Sequence, residues 1–168
     1  MQYIMRYNSP LGEMLLACDE EGLTGAWFAG QKYFAAGLDE NAAESEHEHL
    51  LTASRWLDVY FSGRDPGRPP KLHIPASAFR TAVWEELLKI PYGQTRTYGE
   101  IADMIARRMG KEKMSAQAVG GAVGHNPISV IIPCHRVLAS DGSLTGYAGG
   151  LDKKLALLRL ERASLYAI

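Results

Sequence analysis

The pentapeptide Pro133-Cys134-His135-Arg136-Val137 carries the residue types best suited to nucleophilic chemistry in this sequence. A thiol attacks carbon as its thiolate, and an unperturbed cysteine pKa of about 8.5 leaves little thiolate at neutral pH. The neighbouring histidine and arginine favour the anion, and the proline fixes the backbone before the cysteine. The pentapeptide therefore predicts a reactive cysteine. The alternative is a buried core cysteine beside an incidental histidine.

Cys18 is the only other cysteine in the sequence. No CxxC pair exists, and no Cys/His spacing suits a structural zinc site. Two cysteines are also too few for a disulfide framework. We therefore expect neither a metal nor a cofactor, and each cysteine is either a small buried hydrophobe or a reactive thiol.

The elements around the pentapeptide must hold it in place. The apolar run Ile128–Ile132 predicts a dry, rigid support before it. After it, residues 136–147 predict a hairpin with Asp141-Gly142 as its turn. A final helix is predicted over Leu151–Glu161. Its apolar residues are Leu151, Leu155, Leu158 and Leu160.

Two helices joined by a basic loop are predicted upstream, after a first helix around Phe79–Leu88. The form of Thr97-Tyr98-Gly99-Glu100 predicts a capping box at the start of one, and Ser115 predicts the N-cap of the other, Ala116–Gly124. Such a pair resembles a helix-turn-helix, which indicates DNA binding. The basic residues of the loop are Arg107, Arg108, Lys111 and Lys113.

Two adjacent glycines, Gly120 and Gly121, lie inside the second of these helices. Each destabilises a helix interior by about 1 kcal/mol relative to alanine. Close approach of another backbone would compensate, because glycine has no side chain to obstruct it. That backbone is either DNA or a neighbouring helix, and the sequence leaves both alternatives open.

The first half of the chain predicts short strands, a helix and a linker. These are strands at Tyr3–Tyr7, Glu13–Cys18 and Leu23–Phe28, a helix at Glu44–Phe61, and a proline-rich linker at Ser62–Pro75. We therefore predict an α+β protein of two domains. Residues 1–70 form an N-terminal α/β supporting domain with a small antiparallel sheet, and residues 76–168 form a mostly helical domain with a winged helix-turn-helix-like motif.

Charge is unevenly distributed, although the net charge is only −1. Residues 1–75 contain six Lys/Arg and eleven Asp/Glu, whereas residues 76–168 contain twelve Lys/Arg and eight Asp/Glu. This sign change indicates that the second half faces a polyanion, with chance solvated charge as the alternative. No apolar run approaches the roughly 20 residues of a membrane span, and no signal peptide is recognisable. We therefore expect no membrane association and a cytoplasmic location.

Several motifs together resemble one family, the methylated-DNA–protein-cysteine methyltransferases, also called O6-alkylguanine-DNA alkyltransferases. They occur in order over most of residues 76–162, whereas the first 75 residues resemble the family only in layout. The resembling motifs are Ile90-Pro91-Tyr92-Gly93-Gln94-Thr95-Arg96-Thr97-Tyr98-Gly99-Glu100-Ile101-Ala102, Ala118-Val119-Gly120-Gly121-Ala122, Asn126-Pro127, Ile132-Pro133-Cys134-His135-Arg136-Val137 and Gly146-Tyr147-Ala148-Gly149-Gly150-Leu151.

The resemblance implies irreversible transfer of an alkyl group from O6-alkylguanine in DNA to Cys134, after the base is flipped out. His135 would take the thiol proton, and Glu161 would orient His135. Tyr98 would give a proton to the departing guanine, and Asn126 would hold the turn before the cysteine. The residues implied to bind the flipped base are Tyr147, Ala148, Val137 and Ser129.

Double-stranded DNA with alkylated bases is the expected partner, bound by a monomer. The residues expected to contact it are Gln117, Ser115, Ala118, Gly120, Gly121, Lys113 and Arg136. Members of the resembling family commonly place an arginine where Gln117 stands, to fill the gap left by the flipped base. Ala148 and Ser129 replace a serine and a proline of some relatives, which predicts tolerance of larger adducts and of O4-alkylthymine.

Three other functions compete with this interpretation. An alkyltransferase-like protein would bind the lesion without transfer, but such proteins lack the acceptor cysteine. A helix-turn-helix regulator would need several base-reading side chains, whereas Ala116–Gly124 contains mainly small residues. A cysteine hydrolase would use the same thiol and imidazole but would turn over repeatedly.

Overall fold

A computed structural model describes residues 1–166 of the chain, with side chains described up to Arg162. Residues 167 and 168, the end of the predicted second domain, lie outside the described part. The chain begins with an antiparallel meander of strands β1 (Tyr3–Ser9), β2 (Gly12–Cys18) and β3 (Leu23–Phe28). These three strands confirm the sequence prediction, and β1 continues two residues further than expected.

The predicted helix Glu44–Phe61 begins later than expected. Residues Ala43–Glu44 form a short strand, β4, which pairs in parallel with β1 and gives the sheet order β3-β2-β1-β4. Helix α1 spans Glu48–Phe61, and His47 caps it by accepting a hydrogen bond from the His49 backbone N–H. Its buried residues recur at helical spacing and pack on the sheet. They are Leu50, Ala53, Leu57 and Tyr60.

Three helices, α2 (Ala78–Leu88), α3 (Tyr98–Arg108) and α4 (Ala116–Gly124), pack on one another after the linker. Both predicted N-caps are confirmed. Thr97 and Glu100 form the reciprocal hydrogen bonds of a capping box, and Ser115 accepts from the Ala118 backbone N–H. These caps set the start of each helix of the predicted DNA-binding pair.

The predicted hairpin over residues 136–147 is wrong. Strand β6 (Val137–Leu138) pairs in parallel with β5 (Arg96–Thr97), which lies directly before α3. The turn at Asp141-Gly142 does form, since the Gly142 N–H donates to the Ala139 carbonyl at 2.8 Å, but no return strand follows. Asp141-Gly142 therefore predicted a real turn, but the strand that pairs with β6 comes from a distant part of the chain.

The last helix, α5, spans Leu151–Tyr166 and presents a different face from the one predicted. Leu151 is 48% exposed, whereas Lys154, Leu157 and Glu161 are buried. These three residues lie at helical spacing and share one side of the helix. The helix therefore buries two charged side chains toward the cysteine segment, because polar partners are available there.

The apolar run Ile128–Ile132 packs against the sheet without forming a regular element. The Ser129 N–H donates to the Ala26 carbonyl at 2.8 Å, and the Ala26 N–H donates to the Pro127 carbonyl at 2.9 Å. The run thus docks on β3, which is an edge strand of the sheet. This arrangement is α+β, as predicted. No helix of the described residues is long and apolar enough to cross a membrane.

Candidate active site

Cys134 begins a short 3₁₀ turn, Cys134–Arg136, all of whose residues are buried. The Asn126 side-chain amide donates to Cys134 Sγ at 3.2 Å and to the Ile132 carbonyl at 2.9 Å. Its carbonyl oxygen accepts from the Ile128 N–H at 2.9 Å. Asn126 therefore clamps the apolar run and the thiol together, where the sequence analysis placed it.

The Cys134 thiol is protonated at neutral pH. Burial raises the pKa of Cys134 to about 11, although the hydrogen bond from Asn126 and the positive charge of Lys154 partly oppose this shift. A buried thiolate needs a proton acceptor and nearby donors when it forms. Asn126 donates a hydrogen bond to the sulfur, and Lys154 places a positive charge near it.

His135 is fully buried and bonded to Glu161. Its Nε2 lies 2.5 Å from Glu161 Oε2. Neutral imidazole carries one N–H, so donation from Nε2 to the carboxylate leaves Nδ1 as an acceptor. Among the described residues, Nδ1 has no hydrogen-bond partner. Burial lowers the pKa of His135, which keeps the imidazole neutral and able to take a proton.

Glu161 is an anion held by several donors. Burial alone would raise its pKa, but hydrogen bonds from His135 and Arg136 outweigh burial and lower the pKa of Glu161 to about 2. Arg136 Nε donates to Oε1 at 2.8 Å, and the Gly93 N–H donates to the same oxygen at 2.9 Å. The carboxylate is therefore fixed in position and stays charged at neutral pH.

The structure contradicts the expectation that Arg136 contacts DNA. The residue is 7% exposed. Its guanidinium donates to Glu161 and, at 2.7 Å, to the Ile90 carbonyl. A guanidinium committed in this way inside the protein is not available to a phosphate, and its charge instead balances the buried carboxylate.

A cavity of about 320 Å³ opens above the thiol. Cys134, Tyr98, Tyr147 and Ala148 line it, as the sequence analysis expected. Burial raises the pKa of Tyr98, so its hydroxyl keeps its proton, and it donates to the Thr145 carbonyl at 3.2 Å. The cavity is large enough for a purine base and has a nucleophile in its wall.

Two residues expected to line this cavity do not reach it. Ser129 is 1% exposed, and its hydroxyl donates to Gln31 Oε1 at 3.0 Å behind the cysteine segment. Val137 is fully buried in β6. Both residues are therefore buried and are not among the residues that line the cavity, and their roles in binding a base stay a prediction.

Comparison with known proteins identifies the family. The family models described as 6-O-methylguanine DNA methyltransferase, DNA binding domain and ribonuclease-like domain, match residues 78–163 and 3–66 respectively. A methylated-DNA–protein-cysteine methyltransferase of Methanosarcina acetivorans is 46% identical over 160 residues, covering 95% of this chain and 97% of that protein. This chain belongs to the 6-O-methylguanine DNA methyltransferase family.

Solved structures of the family agree with this assignment. The O6-methylguanine methyltransferase of Mycobacterium tuberculosis matches with a TM-score of 0.83 and 39% identity, covering 98% of this chain and 94% of that one. The same protein in complex with DNA matches with a TM-score of 0.78 and 37% identity, covering 97% and 93%. The resemblance inferred from the sequence motifs is therefore confirmed, as is the α+β fold.

The start of α4 and the loop before it lie within the part of the chain that matches the family's DNA-binding domain. Exposed residues there include four of the predicted DNA contacts, Lys113, Ser115, Gln117 and Ala118. A Cβ atom on Gly121 would meet nothing within 4 Å, and one on Gly120 would only just reach Tyr98. Internal packing therefore does not explain the glycine pair. Both glycines instead border the cavity.

Arg108, named in the sequence analysis as a basic loop residue, is engaged within the protein. It pairs with Glu85 at 2.7 Å and with Glu86 at 3.4 Å. These contacts join the end of α3 to α2. Arg107 and Lys113 remain exposed beside the loop.

Lys154 is a site residue that the sequence analysis missed. Its ammonium group donates to the carbonyls of Thr145 and Gly146 at 2.9 and 3.1 Å. Burial lowers the pKa of Lys154 to about 8, while the nearby Cys134 opposes this shift. Lys154 lies seven residues before Glu161, on the same helix face. That spacing was a usable signal, because two charged residues on the buried face of a helix need polar partners.

The segment after β3 also reaches the cavity, which no sequence signal indicated. Lys32 and Tyr33 line its outer side. The Lys32 N–H donates to the Ala148 carbonyl at 3.0 Å, and the Tyr33 ring stacks on His125 with centroids 4.3 Å apart. Tyr33 has a φ of 61°, which non-glycine residues rarely adopt. Contacts across the cavity hold this strained backbone in place.

Proposed function

We propose that this chain repairs O6-alkylguanine in double-stranded DNA by moving the alkyl group irreversibly to its own Cys134. The observation that carries the proposal is the buried thiol in the wall of a base-sized cavity, followed in sequence by a histidine bonded to a buried carboxylate. Family membership supports the same conclusion. O4-alkylthymine in DNA is a second proposed substrate.

Proton transfer from the thiol begins the proposed reaction. His135 Nδ1 is the buried acceptor, and we propose that a bridging water carries the Cys134 proton to it. Glu161, held at Nε2, stabilises the imidazolium that forms. A protonated thiol in the resting protein suits this scheme, since the reactive thiolate appears only when the substrate fills the cavity.

Bond exchange then takes place at the alkyl carbon. Sγ attacks this carbon in line, the S–C bond forms, and the C–O6 bond breaks with its electron pair passing to guanine. The Tyr98 hydroxyl, which lines the cavity, donates its proton to the guanine ring and makes it a better leaving group. The proton held by His135 then restores Tyr98 through solvent. The thioether has no leaving group that water could displace, so each molecule acts once.

Access to the alkyl carbon requires base flipping. The Cys134 thiol lies in the wall of a cavity inside the protein, so the base must leave the duplex to reach it, at a cost of a few kcal/mol. We propose that α4 docks in the minor groove through its small residues and glycine pair, and that Gln117 fills the vacated space. Tyr147 and Ala148 then hold the flipped base. We further propose that the protein acts as a monomer in the cytoplasm.

The competing functions are less well supported. A lesion-binding protein without transfer has no use for the buried arrangement of Cys134, His135 and Glu161. A regulator would need several base-reading side chains, which the exposed face of α4 lacks. A hydrolase would need a route for water to break a covalent intermediate, whereas transfer of an alkyl group ends in a stable thioether.

Intact-protein mass after incubation with a duplex containing O6-methylguanine tests the proposal directly. We expect the parent to gain one methyl group and to saturate at one equivalent. Cys134→Ser should gain none, and the matched variant Cys18→Ser should gain one like the parent. If the parent gains no mass although it binds the lesion, the transfer function is wrong and lesion binding alone becomes the better explanation.

A further inference from the structure

The hydroxyl of Tyr60 lies inside the candidate active site although Tyr60 belongs to α1, far from Cys134 in sequence. It donates to Glu161 Oε2 at 2.6 Å and lies 3.4 Å from His135 Nε2. The residue is completely buried. The same carboxylate oxygen thus contacts both the histidine and the tyrosine.

Packing holds the Tyr60 ring rigidly in this position. Trp56 stacks on it one helical turn earlier, with centroids 5.8 Å apart and planes 7° apart. Phe61 and Tyr92 pack edge-on against it at 5.2 and 5.9 Å. A buried hydroxyl so constrained is a directed hydrogen-bond donor and does not merely fill space.

We propose that Tyr60 is a positioning residue for alkyl transfer, because its hydroxyl shares the negative charge of Glu161 and so limits how strongly this carboxylate draws a proton onto His135. The inference rests on the proposed function, which requires His135 to be neutral before it accepts the thiol proton. It also gives the first part of the chain an indirect role in the chemistry, through Glu161, in addition to support.

The charged and titratable groups around the histidine–carboxylate pair come from three segments. Helix α1 contributes Tyr60, and the loop after α2 contributes Tyr92. The C-terminal part contributes Cys134, Arg136, Tyr147 and Lys154, in addition to His135 and Glu161. Burial and the charge of Glu161 raise the pKa of Tyr60 well above its usual value. Lys154 titrates at about 8 and Glu161 at about 2. Burial lowers the pKa of His135, and this is the pKa that the proposal makes dependent on Tyr60.

The test is the pH dependence of single-turnover methyl transfer, from acidic to neutral pH, in the parent and in Tyr60→Phe. Loss of the phenol leaves more charge on Glu161, which stabilises protonated His135 and raises its pKa. The acidic limb of the rate profile, where the rate falls as His135 becomes protonated, should then shift to higher pH by roughly one unit. This is the effect expected for one hydrogen bond to a charged group. Replacing Tyr60 by 3-fluorotyrosine, a stronger hydrogen-bond donor of similar size, should shift this acidic limb to lower pH.

Tyr7→Phe is the matched control. The Tyr7 hydroxyl donates to Asp58 at 2.7 Å, so this variant removes a similar tyrosine–carboxylate bond on the same helix but away from the site. Its acidic limb should coincide with that of the parent. A uniform loss of rate in Tyr60→Phe with an unmoved limb, and an unmoved limb in the fluorotyrosine protein, would show a purely structural role and overturn the inference.

Two further measurements distinguish failure of the proposed function from failure of the inference about Tyr60. If the parent transfers no methyl group, the proposed function fails, while alkylation of Cys134 by iodoacetamide over the same pH range still tests Tyr60. If Tyr60→Phe does not fold, the fluorotyrosine protein carries the test alone, and an unmoved limb there contradicts the inference.

Discussion

Single residues decide the protonation state of the site. Burial makes both the Cys134 thiolate and the Lys154 ammonium unfavourable, and each partly relieves the other through opposite charge. Asn126 adds a hydrogen bond to the same sulfur. The thiol is therefore kept neutral at rest, yet Lys154 and Asn126 favour its anion once a base removes the proton.

Replacing Lys154 by methionine should slow transfer at neutral pH. The change keeps the length of the side chain but removes the charge that lowers the pKa of Cys134, and one pKa unit corresponds to roughly a tenfold change. Because Lys154 loses its own proton at about pH 8, the difference from the parent should shrink above that pH. Single-turnover rates over a pH series measure this difference.

Lys153→Met is the control for that prediction. Lys153 lies next in the chain, and its ammonium group is 5.5 Å from the centre of the Phe28 ring, away from the thiol. Its rate profile should match that of the parent. Equal rate–pH profiles for the parent, Lys154→Met and Lys153→Met would show that the buried charge of Lys154 does not act on the thiol.

Two elements shape access to the cavity from opposite sides. The segment after β3 forms its outer wall through Lys32 and Tyr33, and α4 borders it with its glycine pair. Stacking of Tyr33 on His125 holds this wall in place despite the strained backbone of Tyr33. The range of adduct sizes that the cavity accepts should therefore depend on the segment after β3. Docking on DNA should depend on α4.

Tyr33→Ala should raise the rate with O6-benzylguanine relative to O6-methylguanine severalfold. Removing the ring widens the cavity, which benefits a bulky adduct far more than a methyl group. Phe34→Ala is the control, because Phe34 lies beside it, is 45% exposed and packs toward Trp27 outside the cavity. An unchanged ratio in Tyr33→Ala, measured as single-turnover rates with both substrates in duplex DNA, would exclude a role in adduct size.

Gln117 lies at the exposed start of α4, so its effect should depend on the duplex. Gln117→Ala should slow repair of O6-methylguanine in duplex DNA, and Gln117→Arg should speed it, since a charged and longer side chain fills the gap and attracts phosphate. Neither change should affect reaction with free O6-benzylguanine, which needs no flipping. Equal duplex rates for the alanine variant and the parent would contradict the proposed role.

At the scale of the whole molecule, Glu161 joins segments that are distant in the chain. Its donors come from α1, the loop after α2 and the cysteine turn, while the carboxylate itself belongs to α5. The division into domains 1–70 and 76–168 stays a prediction, but the two parts share this buried carboxylate. Stability and activity should therefore both depend on it.

Glu161→Gln should lower the free energy of unfolding at neutral pH by roughly 3 kcal/mol, because it leaves the buried Arg136 without its anionic partner. The pKa of Glu161, lowered to about 2, makes this difference depend on pH. A carboxylate with a lowered folded-state pKa stabilises fully above its unfolded pKa and loses this effect as pH falls through its folded one. The difference between variant and parent should thus narrow between about pH 5 and pH 2. Urea unfolding at several pH values measures it, with the exposed Glu13→Gln as control.

Local patterns were enough to predict much of this protein. The three strands of the meander, the capping box at Thr97 and the cap at Ser115 depend on residues close in sequence, so alternation and capping chemistry identify them. The motifs around Cys134 and Asn126 identified the family and predicted the nucleophile for the same reason, because the chemistry requires those residue types at short, constant spacing.

Tertiary structure decided the features that depend on partners distant in the chain. Leu138 pairs with Thr97 and not within a hairpin, because a ladder partner can come from anywhere in the fold. Arg136 points inward because Glu161 lies there to neutralise it. Tyr60 and Tyr33 reach the site only because α1 and the segment after β3 fold over it. Propensity describes a residue's neighbours along the chain, whereas burial and charge pairing depend on neighbours in space.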